Sequence, residues 1–460
     1  MEARIAAGEG LTARLASAAV RYALPSGLHD EVIAHAWTDT IAVSLAAVDQ
    51  EGMRALRRAV IGERQTAAWL SGGAVRADDA ALLNGTAAHY LDFDDVSPSM
   101  PMHPSAVLVP ALMAAAERDG TLRFDAFARA YNVGAAMFRL IAEALPSARH
   151  YGAGWHSTST VGRLAAVAAI ARLRNLTPEL TANALAMASS MASGSRANFG
   201  TMTKPMHAGL AARDAVNAID WSTAGVDASA TELEAPSGFF RRFGDPDRIA
   251  WALENLDARL AWWVQEWPAD WGLKRHPSCY ATHRSIDAAL DLREHASSAD
   301  IEWIDVEVYR GGTAPLILRR PESGTEAKFS LEHCIALAWL HGAVTMDDFT
   351  DEGFASADRV NELAGRVTVR EVDGEGEFNH VTVTTRDGGS MRKTVAVAKG
   401  SGERPLQAAD VRVKVQSCCE FAGVTGPAVA RLLEGADGIS AGTDLLGLVA
   451  DLHAMPRREG

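Results

Sequence analysis

Leu164–Leu173 reads LAAVAAIARL. Its apolar residues fall on more than one face of a helix, which is the pattern of a helix packed among other helices. Working outward, residues 1 to about 265 repeat this character, with Ala- and Leu-rich segments at helical spacing and no strand-like alternation. An all-α domain is the expectation for that part. The pattern changes near Asp300. Ile301–Tyr309 alternates as a strand does, carrying Trp303 and the β-branched Ile301, Ile304, Val306 and Val308. Residues 366–372 alternate too. Residues 381–385 and 394–397 flank Asp387-Gly388-Gly389, a hairpin signal. A helix over about 331–342 lies between the strands. After Gly400-Ser401-Gly402 and Pro405 the chain turns helical again.

The expected fold is therefore mainly α. Residues 1–268 form its helical part and 269–404 a smaller α+β domain, and the helices over 405–460 could rejoin the first or stay with the second. A chain of 460 residues is long enough for two cores. The composition, 48% hydrophobic and 22% charged, is ordinary for a soluble globular protein. The net charge of −14 argues against nucleic acid or an acidic membrane as partner. No apolar run reaches the roughly 18 residues of a membrane span. The N-terminus, Met1-Glu2-Ala3-Arg4, lacks a basic region followed by an apolar stretch, so no signal peptide is expected. Cys279, Cys334, Cys418 and Cys419 show neither CxxC nor Cys/His ligand spacing, which fits a reducing cytoplasm and no metal.

Five stretches place ionisable residues at predicted helix starts, where free N–H groups and the helix dipole favour an anion. Asn84–Ser105 holds Asp92-Phe93-Asp94-Asp95, then His103 just before a helix expected to begin at Pro104. His156 precedes a second helix that Ser157, Thr158 or Ser159 can cap. Lys204 precedes a third that starts near Pro205. A lysine there opposes the dipole, which predicts an anion bridging the two. Lys274 to His283 precedes a helix with Thr282 as candidate cap, and Lys328-Phe329-Ser330 enters the helix at 331. Such clusters fit one site for a small polycarboxylate. No Walker A loop, GxGxxG, HExxH or GxSxG is present.

The segments NGTAAHYLDFDD (84–95), HPSA (103–106), GWHST (154–158), RANFGTMTKPMHAG (196–209), KRHPSCYATH (274–283) and KFSLEHC (328–334) resemble, in order, those of the MmgE/PrpD family. That family's activities include dehydration of 2-methylcitrate, decarboxylation of cis-aconitate and epimerisation of iminodisuccinate. The resemblance implies a large helical domain built from residues 1–268 and 405–460 with a smaller α+β lid domain inserted over 269–404, a homodimer with no metal or organic cofactor, and an active site between the two domains. It implies catalytic roles for Asp92, His103, His156 and Lys204, and substrate binding by Lys274 and the residue at Cys279. His207 and Arg320 join them here as substrate-binding candidates, Arg320 as a lid residue reaching in. Val96-Ser97 stands where the family often has Thr or His after the DD pair, and Cys279 departs from the decarboxylase, where a histidine stands at that position. The expected reaction is proton removal next to a carboxylate, with His103 as base tuned by Asp92. Loss of water is the first expected outcome. Epimerisation or decarboxylation are the alternatives, and a non-catalytic carboxylate binder is the remaining one.

Overall fold

The structure, a computed structural model, describes residues 10–60, 75–117, 120–297 and 300–453. The N-terminal tetrapeptide read above lies outside them. Most of the chain is helical, and the apolar residues form two main clusters. The larger cluster runs from Leu11 to Leu273, takes in Met346, and resumes at Leu406 through Val449. The helices Ala408–Phe421 and Pro427–Asp437 pack on Asp30–Ala47, so the chain's end does return to the first helices. Ser157–Leu173 is buried from Ser157 to Ala171, as its all-round apolar pattern requires. It lies between Phe124–Glu143 and Thr203–Thr223. No helix among the described residues is long and apolar enough to cross a membrane.

The smaller cluster covers Ile286 to Val395. Its sheet has four strands in the order Val367–Val372, Ile301–Tyr309, Asn379–Thr385, Ser390–Val395. The first pair is parallel and the other two pairs antiparallel. A register shift between Ile301 and Trp303 turns both Ile301 and Ile304 inward and leaves Trp303 38% exposed. The inward face packs on the helices Tyr280–Leu292 and Leu331–His341. The hairpin turns at Gly388, φ +87°, with the Asp387 carboxylate accepting from the Gly389 amide at 3.0 Å. The last strand begins at Ser390 rather than Thr394, because the short turn lets pairing start at once.

Two features of the larger domain set the position of the site. The helices Ala77–Tyr90 and Thr203–Thr223 cross at Gly85 and Gly209. A Cβ on Gly85 would come within 2.8 Å of the Gly209 Cα, and one on Gly209 would strike the Leu82 carbonyl. Only glycine allows this approach. It brings the C-terminal end of the first helix, where Asp92 follows, against the N-terminal end of the second, where Lys204 stands.

The other feature is a two-residue strand, Asp95–Val96, paired antiparallel with Gly272–Leu273. It corrects the expectation of no strand in the first 265 residues. Neither segment has alternation to reveal, since each contributes only two residues. This pairing carries Lys274 to the loop after Asp92. The Asp95 carboxylate, not an external anion, occupies the start of Ser105–Glu117: it accepts from the Ser105 amide at 3.0 Å, the Ser105 hydroxyl and the Trp271 indole. Asp95→Ala therefore leaves buried donors unpaired, and thermal or urea unfolding should show a loss of about 1–3 kcal/mol. Unchanged stability would contradict this reading of the cap.

Candidate active site

A cleft of about 500 Å³ opens between the two domains. Asp92, His103, His156 and Lys204 line it from the larger domain, and Lys274 and Cys279 from the start of the smaller. Six of the eight candidate residues thus converge on one space.

At the floor, Asp92 sits in a left-handed backbone conformation, φ +54°, which L-residues other than Asn and Asp rarely adopt. Its carboxylate pairs with the Lys204 ammonium and lies 3.1 Å from Lys274 Nζ, which also donates to the Asp92 carbonyl at 2.9 Å. Burial works against the charge of Asp92, but Lys204 and then Lys274 outweigh it and hold the carboxyl well below the usual carboxylate range. Lys204 falls inside the first turn of Thr203–Thr223. The anion predicted to offset it there is Asp92 itself. Phe199 and Phe329 cover the ammonium, with ring centres 5.3 and 5.1 Å away. From the C-terminal helix, Lys414 donates to the Phe93 carbonyl at 2.6 Å and pairs with Asp39 at 2.7 Å, which anchors the loop after Asp92.

The partner of His103 is not Asp92. Its Nδ1 lies 2.8 Å from the Asp95 carbonyl and 3.2 Å from the Asp94 carboxylate. Both neighbours are acceptors, so Nδ1 carries the proton and the Nε2 lone pair is left free. Burial lowers the imidazole pKa below its ordinary 6.5, and Asp94 opposes this only in part. Asp94 also accepts from His89 Nδ1 at 2.9 Å, and the His89 ring stands 4.3 Å from that of His103. His89, fully buried, is a site residue the sequence reading passed over. Its only signal was its position five residues before Asp94.

His156 precedes Ser157–Leu173 with no side-chain cap, and none of Ser157, Thr158 and Ser159 stands at the cap position. Its Nδ1 meets His207 Nδ1 at 3.1 Å, so one of the two rings donates and the other accepts. Burial, then His89 and His207, drive the His156 pKa well below 6.5, and burial takes His207 down to about 4. Both rings are neutral at pH 7. His207 does not line the cleft; it backs His156, since one turn beyond Lys204 the helix faces inward. Cys279, rather than Thr282, precedes Tyr280–Leu292, and burial raises its thiol pKa.

Arg320 does not reach the cleft. It is exposed, while the adjacent Arg319 is tied to Glu326 and turns the loop outward. Other arginines line the mouth instead. Arg196 stacks on Tyr151, its guanidinium carbon 3.6 Å from the ring centre, and donates across the cleft to the Ala314 carbonyl at 2.7 Å. Arg284 pairs with Glu377 and Arg310 with Asp373. Among the described residues, two groups of buried side chains bring metal-ligand atoms within 4.8 Å of one another: His89, His103 and His156, and His89, Asp92 and Asp94. In the second, Asp92 is held by two ammonium groups and Asp94 by two imidazoles.

The lining holds five basic side chains, Lys204, Lys274, Arg196, Arg284 and Arg310, against two carboxylates, Asp92 and Glu377. With Asp373 neutralising Arg310 from outside, two positive charges remain unmatched in a chain of net charge −14.

Comparison with known proteins agrees with this architecture. The family model for the MmgE/PrpD N-terminal domain matches residues 13–252, and that for the MmgE/PrpD C-terminal domain matches 276–432. Cis-aconitate decarboxylase of Mus musculus is 28% identical over 356 residues, covering 74% of this chain and 71% of that protein. The Homo sapiens protein of the same name is 28% identical over 352 residues, covering 74% and 72%. That of Aspergillus terreus is 24% identical over 352 residues, covering 71% and 70%. The chain belongs to the MmgE/PrpD family.

Proposed function

We propose that the protein is a lyase that moves a proton at a carbon next to a carboxylate of a small di- or tricarboxylate. The observation that carries this reading is the pair of unmatched positive charges beside neutral imidazoles in the interdomain cleft. A dianion entering there neutralises the excess and places its α-carbon near His103. The His103 Nε2 lone pair removes the proton. Lys204 and Lys274, both buried, stabilise the enediolate that forms. His156 donates from Nε2–H when its Nδ1 accepts from His207. A neutral imidazole of lowered pKa is a known electrophile in carbanion chemistry.

Within this class, loss of water from a 2-methylcitrate-like hydroxy acid is our first reading, because elimination uses both a base and a donor to the departing hydroxyl. Decarboxylation of a cis-aconitate-like acid is the second, favoured by the names of the relatives. Incubation with citrate, 2-methylcitrate, cis-aconitate and iminodisuccinate in deuterated water, followed by NMR, separates the readings. Alkene formation supports dehydration and carbon dioxide release supports decarboxylation. Exchange without net loss supports an epimerase, and no exchange or turnover with any of them overturns the proposal. A homodimer in the cytoplasm, without nucleic acid or membrane partners, belongs to the same reading.

The acid limb of activity follows from His103. A base works unprotonated, so kcat/KM rises with pH through the His103 pKa, which burial places below 6.5. Asp94 raises that pKa, so Asp94→Asn should shift the limb to still lower pH. A wild-type limb above pH 6.5 in a pH–rate profile would remove His103 from the role of base.

A further inference from the structure

A second cavity, of about 430 Å³, lies on the other side of the Asp92–Lys204 pair. Asp92, Lys204 and Phe329 line both spaces, whereas the histidines of the proton-transfer scheme do not face this one. Its lining is mixed: Leu91, Met202, Pro205, Met346, Phe349 and Phe421 give it an apolar part, and Gln50, His89, Thr201, Ser323, Thr325 and Thr350 a polar one. Among them stands the ammonium of Lys328, whose residue is 4% exposed.

An ammonium has three donors and normally keeps anionic company when buried. Lys328 Nζ donates to the Tyr90 carbonyl at 3.3 Å and rests 5.4 Å from the Tyr90 ring. The nearby carboxylate, Asp92, is already held by Lys204 and Lys274. Burial, with Lys204 and Lys274 adding to it, brings the Lys328 pKa down to about 8 against the pull of Asp92. The remaining acids of the lining, Glu51 and Asp351, are exposed at the rim and oppose a second negative charge on any ligand. A half-apolar cavity in which Lys204 is already paired with Asp92, Lys328 is the further buried cation and the rim is acidic suits an amphipathic monoanion rather than the polyanion that the main cleft suits.

We propose that this cavity binds a monocarboxylic acid with an apolar body, its carboxylate on Lys328 and its body against the methionine and aromatic walls. The site is separate from the cleft, so the two ligands bind together. The shared Asp92–Lys204 wall couples them weakly.

Calorimetric titration of the full-length protein with benzoate, alone and with saturating citrate, tests the assignment. Benzoate should bind in both conditions. Lys328→Met should weaken benzoate by about tenfold or more, the loss of a charge-assisted hydrogen bond, and leave citrate affinity within about threefold. Ala55→Trp provides an independent check: Ala55 lines the cavity from the helix Glu51–Val60, an element that does not carry Lys328, and a tryptophan there adds bulk to the lining. Its benzoate affinity should fall likewise. Displacement of benzoate by citrate, absence of benzoate binding, or wild-type benzoate affinity in Ala55→Trp overturns the proposal. Failure of citrate itself to bind would count against the proposed reaction and leave the benzoate result readable.

Discussion

His103→Gln lowers kcat/KM by about 10²–10⁴-fold on whichever polycarboxylate the wild type turns over, the usual contribution of a positioned acid or base. The glutamine amide can still donate to the Asp95 carbonyl, so the loop and the start of Ser105–Glu117 stay in place. The loss then falls on kcat and leaves substrate binding close to wild type. Exchange of the substrate's α-proton with deuterated solvent is the direct readout, because it reports proton removal even where the later step is slow. Near-full exchange in a folded variant would take the base role from His103, and His156 would be the next residue to test.

Lys204→Met should damage stability as well as activity. In the wild type, Asp92 is buried with Lys204 and Lys274 against it. Removing one partner of a buried ion pair costs about 3–5 kcal/mol, and the surviving Lys274 contact puts the expected loss near 3 kcal/mol. Chemical denaturation at pH 7 measures it. The pH dependence gives a second signature. The Asp92 carboxyl is depressed in the folded state, so its contribution is fully present above the ordinary value of 3.8 and is lost as pH falls through the lower, folded value. The gap between wild type and Lys204→Met should therefore narrow below pH 3.8. A gap that is absent at pH 7, or constant into acid, contradicts the account of Asp92 as a permanent carboxylate. Proton exchange in the variant should also fall by about 10²–10³-fold, as when a single donor to a developing oxyanion is removed.

Much of this arrangement could be read before any coordinates. Periodicity separates the helical chain from the strand at Ile301–Tyr309, because nine residues are enough for alternation to show. It cannot reveal Asp95–Val96, since two residues carry no period. The awkward placing of Lys204 correctly called for an anion, but spacing cannot say that the anion comes from the protein. Nor does it say which of Asp92, Asp94 and Asp95 meets which donor. Successive side chains along that loop point in different directions, and the positive φ of Asp92 adds a turn that no propensity forecasts. The three acids separate accordingly. Asp92 goes to the lysines, Asp94 to the histidines and Asp95 to the helix start.

Arg320 failed for a related reason. It follows the irregular stretch after Tyr309, where direction depends on local pairs such as Arg319 with Glu326. Lys328 was recognised at a helix entrance, but its sequence gave no hint that it faces a different cavity from its neighbours in the list of motifs. Ser330, rather than the lysine, caps that helix, accepting from the His333 amide at 3.3 Å.

The way the cleft is divided has a consequence for how such a protein can diverge. Asp92, His103, His156 and Lys204 all hang from one helical body, clamped by the glycine crossing. Arg284, Tyr309, Arg310 and Glu377 at the mouth belong to the sheet domain. In the proposed reaction the proton-moving residues and the selection of what enters thus sit on separate scaffolds, with Lys274 joining the floor from the start of the smaller domain. Change in the sheet domain can admit a new acid without disturbing the proton chemistry, so relatives that share every residue of the floor are free to differ in what they consume.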